Sequence, residues 1–74
     1  MADFSYEIIK EIGVISSGNG GWTKELNLVS WNGNKPKFDI RDWSPEHEKI
    51  GKGITLTRED LLKLRELIDQ LPED

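Results

Sequence analysis

The stretch 37-KFDIRDW-43 decides the fold, because its residues alternate in character along the chain. Phe38 and Ile40 are apolar, and the alternate positions are charged or aromatic: Lys37, Asp39, Arg41 and Trp43. Successive side chains of a β-strand point to opposite sides, so the pattern predicts a strand with one buried side. We expect Phe38 and Ile40 in the core and the other side in solvent.

The preceding stretch, 22-WTKELNLVSW-31, alternates in the same way and adds a second strand. Asn32-Gly33 supplies the positive φ angles of a tight turn, so the two stretches form a β-hairpin. One side, the Leu face, is the expected core: Leu26, Leu28, Phe38 and Ile40. The other side, the Trp face, is polar and ends in Trp31 on one strand and Trp43 on the next, both expected to be exposed.

Two further strands complete the predicted sheet. Residues 4–16 are rich in Phe, Tyr, Ile and Val, which favours a strand bent at Gly13, with a helix over residues 6–12 as the alternative. Residues 16–21 form a flexible glycine turn without regular structure. Residues 44–53 form a polar loop, and 54–56 are a short strand that returns the chain to the sheet.

One amphipathic helix of about four turns follows the sheet. Thr57 has the properties of an N-cap, with Asp60 three residues later in a variant of the capping box. An apolar stripe follows at spacings of three and four, and Pro72 ends it: Leu61, Leu64, Ile68 and Leu71. The order β-β-β-β-α predicts an α+β fold, an antiparallel meander with its helix on one face. Residues 1–74 are expected to form a single domain with short flexible termini.

The size and composition of the chain point to an oligomer. A chain of 74 residues buries too little surface for a secure core, and disulfides, metals or oligomerisation usually compensate. Cysteine is absent and there is one histidine, so we expect no disulfide, metal or cofactor, a cytoplasmic setting and a homodimer. The N-terminus lacks a signal-peptide pattern, and no stretch is long and apolar enough for a membrane span.

The charge is unevenly distributed, although the net charge is −4. Residues 22–53 carry six basic and five acidic side chains, whereas the segments before and after carry net charges of −2 and −3. Local patches, not net charge, determine what a surface attracts. Charge alone therefore does not exclude nucleic acid, although the basic residues also fit a role in solvating the strands.

No pattern indicates an enzyme or a small-molecule substrate. Glu46, His47 and Glu48 are consecutive in a loop and do not converge on one ion, so His47 is interpreted as a solvated loop residue. Asp39 and Asp42 are interpreted as ion-pair partners for nearby basic residues: Arg41, Lys37 and Lys52.

The tryptophans are more informative. Trp31 and Trp43 share the Trp face with Lys37 and Arg41, and Lys35 lies in the hairpin between the two strands. Single-stranded nucleic acid is held in this way, with bases stacked on aromatic rings and cations following the phosphates. The alternative is that one tryptophan covers the core and the other is a dimer contact. Trp22, beside the glycine turn, is equally compatible with a lid on the core.

The run "FDIRDW…EKIGKGITLTREDLLKL" resembles the positive cofactor four family of transcriptional coactivators, whose pattern has an "IDIRE-W" strand and a "KGISL" strand before a C-terminal helix. With "ELNLVSWNG", it is similar to the small bacterial members of that family, the YdbC type. The resemblance covers residues 22–71. It implies a bent four-stranded sheet, a homodimer formed through the helices, and grooves that bind single-stranded DNA with little sequence preference.

The same resemblance implies a set of nucleic-acid contacts: Lys24, Trp31, Lys35, Lys37, Arg41, Trp43 and Lys52. The family spacing differs by one residue before Trp43, which leaves the direction of its ring open, and the different hairpin leaves the choice between Lys35 and Lys37 open. The serine-rich acidic tail of the eukaryotic coactivators is absent, so coactivator function is not carried over.

We therefore expect a non-enzymatic homodimer that binds single-stranded DNA in transcription, replication or repair. A protein-interaction module on the same fold is the alternative, and single-stranded RNA is a further possible ligand, because stacking does not itself distinguish the sugar.

Overall fold

Four antiparallel strands and one helix make up the fold in a computed structural model that describes residues 4–73. The strands pair in chain order: β1 (Tyr6–Ser17), β2 (Thr23–Trp31), β3 (Lys37–Trp43) and β4 (Ile50–Leu56). The helix α1 (Arg58–Ile68) follows. The predicted β-β-β-β-α order is confirmed. Within residues 4–73, no helix has the length and apolar character needed to cross a bilayer.

The local signals of the sequence are found where they were predicted. Asn32 and Gly33 have φ angles of 52° and 75°, as the hairpin turn requires. The Thr57 hydroxyl accepts a hydrogen bond from the Asp60 backbone N–H at 3.1 Å, which caps the first turn of α1. The helix is shorter than expected, because it ends at Ile68 and leaves Leu71 outside it with 67% of its surface exposed.

Two connections are more ordered than predicted. The glycine turn contains a single turn of 3-10 helix, Asn19–Gly21, in which Gly20 and Gly21 adopt φ angles of 69° and 82°. A second such turn, Pro45–His47, lies in the polar loop. That loop is also shorter than expected, since β4 begins at Ile50 rather than at residue 54.

The sheet is strongly curled, and the ring of Tyr6 demonstrates it. Trp43 pairs with Thr23, eight residues from Trp31 along β2, a separation of about 27 Å in a straight strand. Yet the Tyr6 ring lies 5.7 Å from the Trp31 ring and 5.4 Å from the Trp43 ring. The two indoles therefore cannot be further apart than the sum of those distances, about 11 Å.

Irregular pairing explains the curl. The β1–β2 register shifts at three places, one of them next to Gly13, and the β3–β4 register shifts between Arg41 and Trp43. Such bulges bend a strand and increase its local twist. The predicted bend at Gly13 is thus one of several, and together they turn the Trp face inward.

The sequence analysis predicted that the Leu face would be buried and the Trp face exposed, and this prediction is wrong. The described residues that are fully buried all belong to the Trp face: Asn27, Val29, Asp39 and Trp43. The Leu face is only half-buried, because α1 alone lies over it. Its four apolar residues all have intermediate exposure: Leu26, Leu28, Phe38 and Ile40. Period-two alternation separates two faces, but the curl of the whole sheet decides which one is enclosed.

Candidate nucleic-acid interface

Trp31 stands at the open end of the curled Trp face, where β2 ends. Its ring is half-buried and has three neighbours. The guanidinium carbon of Arg41 lies 4.9 Å from the ring centroid, a cation–π contact. Tyr6 and Phe4 lie on other sides, with ring centroids at 5.7 Å and 5.8 Å. The indole is thus held in one orientation while part of it remains accessible.

Arg41 is fixed by hydrogen bonds as well as by Trp31. Its Nε and Nη2 donate to the two carboxylate oxygens of Asp39 at 2.7 Å and 3.0 Å, and Nη1 donates to the Gly51 carbonyl at 3.1 Å. A guanidinium has five N–H donors, so two remain for a ligand. Asp39, which is fully buried, also accepts from the Thr55 hydroxyl at 3.0 Å. The predicted Asp39–Arg41 ion pair is confirmed.

These groups surround a small open groove beside Trp31, which we call the Trp31 slot. It has a volume of about 230 Å³ and is lined by Phe4, Trp31, Arg41, Ile50 and Thr55.

 Aromatic rings, an aliphatic side chain and a cation with spare donors all meet in the Trp31 slot. This combination suits a flat, partly polar ring such as a nucleobase.

Trp43 does not have the exposure that was predicted for it. Its ring is fully buried, 5.4 Å from Tyr6 and 4.7 Å from the imidazole of His47. The curl of the sheet brings Tyr6 over the end of β3 and covers the indole. A stacking platform needs an accessible ring face, so within the protomer the buried Trp43 ring offers no stacking surface.

His47 is likewise not the solvated loop residue that was expected. Its Nε2 lies 3.0 Å from both carboxylate oxygens of Glu25, and its backbone carbonyl accepts a hydrogen bond from the Tyr6 hydroxyl at 3.3 Å. Its φ of 58° belongs to the left-handed region, which turns the ring back towards the sheet. His47 therefore closes the Trp43 end of the curled face.

Glu25 is held as a carboxylate inside this end of the sheet. Burial by itself raises the pKa of the Glu25 carboxyl, but hydrogen bonds from Thr23, Asn27 and His47 outweigh burial and leave that pKa below its usual value of 4.5. The shortest of them, from the Thr23 hydroxyl, is 2.6 Å. The Trp face thus contains a second buried carboxylate besides Asp39.

Three buried polar atoms of the Trp face have no hydrogen-bond partner among the described residues: Asn27 Oδ1, Trp31 Nε1 and Trp43 Nε1. Most buried polar groups are paired, and an unpaired one costs about 1–3 kcal/mol. The interior of this face is therefore less well satisfied than an ordinary core.

The predicted lysine contacts do not line the Trp31 slot. Lys35 and Lys37 are exposed and line one groove of about 520 Å³ with Arg58 at the start of α1. Lys52 is exposed on β4. Lys24 lies on the side of the Leu face and pairs with Asp42 at 2.9 Å, a partner that was not predicted for that carboxylate.

The structure thus brings Trp31 and Arg41 into contact, and Lys35 next to Lys37, but it does not assemble all seven predicted residues in one place. Sequence reasoning missed Phe4 and Tyr6, although the alternation of Tyr6 and Ile8 in β1 was a usable signal. It also missed Arg58, because a cation after an N-cap carries no special pattern.

A curled four-stranded antiparallel sheet followed by one C-terminal helix is the class of fold that the family resemblance implied. The sequence profile of the family "Transcriptional Coactivator p15 (PC4)" matches residues 19–67, and the chain belongs to this family. It is a non-enzymatic family that binds single-stranded DNA. The chain is also 46% identical over 72 residues to an uncharacterized protein of Treponema pallidum (strain Nichols), covering 97% of this chain and 85% of that protein.

Proposed function

We propose that the protein binds single-stranded DNA with little sequence preference, by stacking a base on Trp31 and by contacts from basic side chains to phosphates. The observation that carries the proposal is the Trp31 slot, where an indole is held by Arg41 and remains open on one side. Transcription, replication and repair all expose single strands, and the proposed activity suits each of them.

The phosphate contacts in this proposal come from exposed cations outside the Trp31 slot. Lys35, Lys37 and Arg58 line one groove, and Lys52 lies on β4. Arg41 contributes its two remaining donors from inside the slot. Lys24 is the weakest candidate, because Asp42 already pairs with it.

We further propose that the binding unit is a homodimer formed through α1 and the Leu face. Among residues 4–73 only two apolar side chains, Val29 and Trp43, are fully buried, which is too small a core for an independent protomer. The groove between α1 and the Leu face stays open and is lined almost entirely by apolar side chains. A second copy supplies the apolar surface that this groove lacks.

Titration with oligo-dT tests the proposal. Binding should quench tryptophan fluorescence, and if each protomer neutralises about three phosphates, log K for the dimer should fall against log[salt] with a slope near −4. Absence of both quenching and a mobility shift at low salt would leave the protein-interaction alternative. Tighter binding of oligo-U than of oligo-dT would make RNA the ligand.

Replacement of Trp31 tests whether this residue stacks on a base. Trp31→Ala should weaken oligo-dT binding by about 1–3 kcal/mol, because one base–aromatic stack is lost. Urea denaturation of the same variant provides the control. If the variant no longer folds, Trp31 is a core residue first and the stacking assignment loses its support.

A further inference from the structure

Phe4 is an exposed aromatic residue that the fold itself does not require. It precedes β1, and 63% of its surface is accessible. A phenylalanine exposed to this extent adds little to the stability of the protomer. Its ring nevertheless lies against the Trp31 slot, 5.8 Å from the Trp31 ring and tilted by 35° to it.

The backbone next to Phe4 is fastened to the hairpin that carries Trp31. The Ser5 N–H donates to Asn32 Oδ1 at 2.9 Å, and the Asn32 N–H donates to the Ser5 carbonyl at 2.8 Å. Asn32 directly follows Trp31 in the chain. The Phe4 backbone is therefore held beside Trp31 through its neighbour Ser5, while most of the Phe4 surface remains exposed.

We propose that Phe4 and Trp31 form the two walls of a slot that takes one unpaired nucleobase. Arg41 lies at the slot with two unused N–H donors, which suit a base carbonyl or a phosphate oxygen. Ile50 and Thr55 complete the lining. The base replaces the contact that Phe4 makes with Trp31 in the free protein. This inference rests on the proposed single-stranded DNA binding and adds a residue to it.

The test compares Phe4→Leu with the unchanged protein on two probes, fluorescein-labelled oligo-dT and an abasic oligonucleotide of the same length. Phe4→Leu keeps an apolar side chain but removes the ring. It should weaken oligo-dT binding about tenfold, the loss expected for one stack, and leave binding of the abasic probe unchanged. Phe4→Tyr keeps an aromatic ring and should bind oligo-dT as tightly as the unchanged protein does.

Val14→Ala is the matched control, because Val14 is an apolar β1 residue that is 60% exposed and does not line the slot. It should bind both probes as the unchanged protein does. An equal loss on both probes for Phe4→Leu, or no loss on either, overturns the role of Phe4. If the unchanged protein itself fails to bind oligo-dT, the proposed function fails, so the two failures are distinguishable.

Discussion

At the scale of single residues, the alternating pattern predicted the contact between Arg41 and Asp39 but not their burial. Both were placed on the same face as Trp31, and their ion pair was predicted. The pattern did not contain their burial: Asp39 is fully buried and the Arg41 side chain is 16% exposed. Two charges enter the interior because each meets the other in a bidentate contact, which replaces much of their hydration.

Ionisation of the Glu25 carboxyl should make the stability of the folded protein depend on pH. Because the pKa of its carboxyl is lower in the folded protein, the ionised form stabilises the fold at pH values above 4.5, the usual value. This contribution should be lost as the pH falls below 4.5 and through the lower pKa of the folded state. Urea denaturation at a series of pH values should show the free energy of unfolding falling over that range.

Glu25→Gln is the control for this prediction. The amide keeps the shape of the side chain and cannot ionise, so the difference in stability between the two proteins should shrink as the pH is lowered. A difference that stays constant down to pH values well below 4.5 would contradict the assignment to Glu25.

At the scale of elements, local signals predicted the helix and the hairpin turn well, whereas β4 was predicted too short. Its start, Ile50-Gly51-Lys52-Gly53, resembles a loop by composition. The two glycines instead allow β4 to lie close to β3, since a Cβ at Gly51 would come within 2.9 Å of Asp42 Cβ. Only the neighbouring strand reveals this need for small residues.

Gly53 should be the most sensitive glycine of the sheet. A Cβ there would collide with the Arg41 side chain and the Ile40 carbonyl oxygen, so Gly53→Ala should destabilise the protein by about 1–3 kcal/mol. Gly13→Ala is the matched control in a strand, because no atom outside Gly13 and its two chain neighbours lies within 4 Å of a Cβ at that position. Thermal unfolding of both variants measures the contrast, and equal midpoints would refute it.

At the scale of the whole molecule, the burial of the two faces was not predictable from one strand at a time. The curl results from bulges in β1 and between β3 and β4, and from contacts of Tyr6 with both ends of the hairpin. Each depends on residues far apart in the chain. The sequence therefore predicted Trp31 and Arg41 as members of the candidate site, but it did not predict that the Trp face is enclosed or that Phe4 lines the slot.

The proposed homodimer can be tested at Ile68, which is 53% exposed and lines the groove between α1 and the Leu face. Ile68→Asp places a charge in that apolar contact and should convert a dimer into a less stable monomer. Sedimentation velocity measures the mass. Urea denaturation at several protein concentrations measures whether stability rises with concentration, as it does when folding is coupled to dimerisation. Gln70→Asp adds the same charge at an exposed position and should leave the dimer intact. A monomeric unchanged protein would refute the proposal.

The hydrogen bond from the Tyr6 hydroxyl to the His47 carbonyl also has a consequence for how the chain folds. It joins residues 41 positions apart, whereas the Asn-Gly hairpin joins near neighbours. Contacts of high sequence separation have a large loop-closure entropy and form slowly. We therefore expect the β2–β3 hairpin to form early and the enclosure of Trp43 between Tyr6 and His47 to form late, so that Tyr6→Phe should speed unfolding more than it slows folding in stopped-flow measurements.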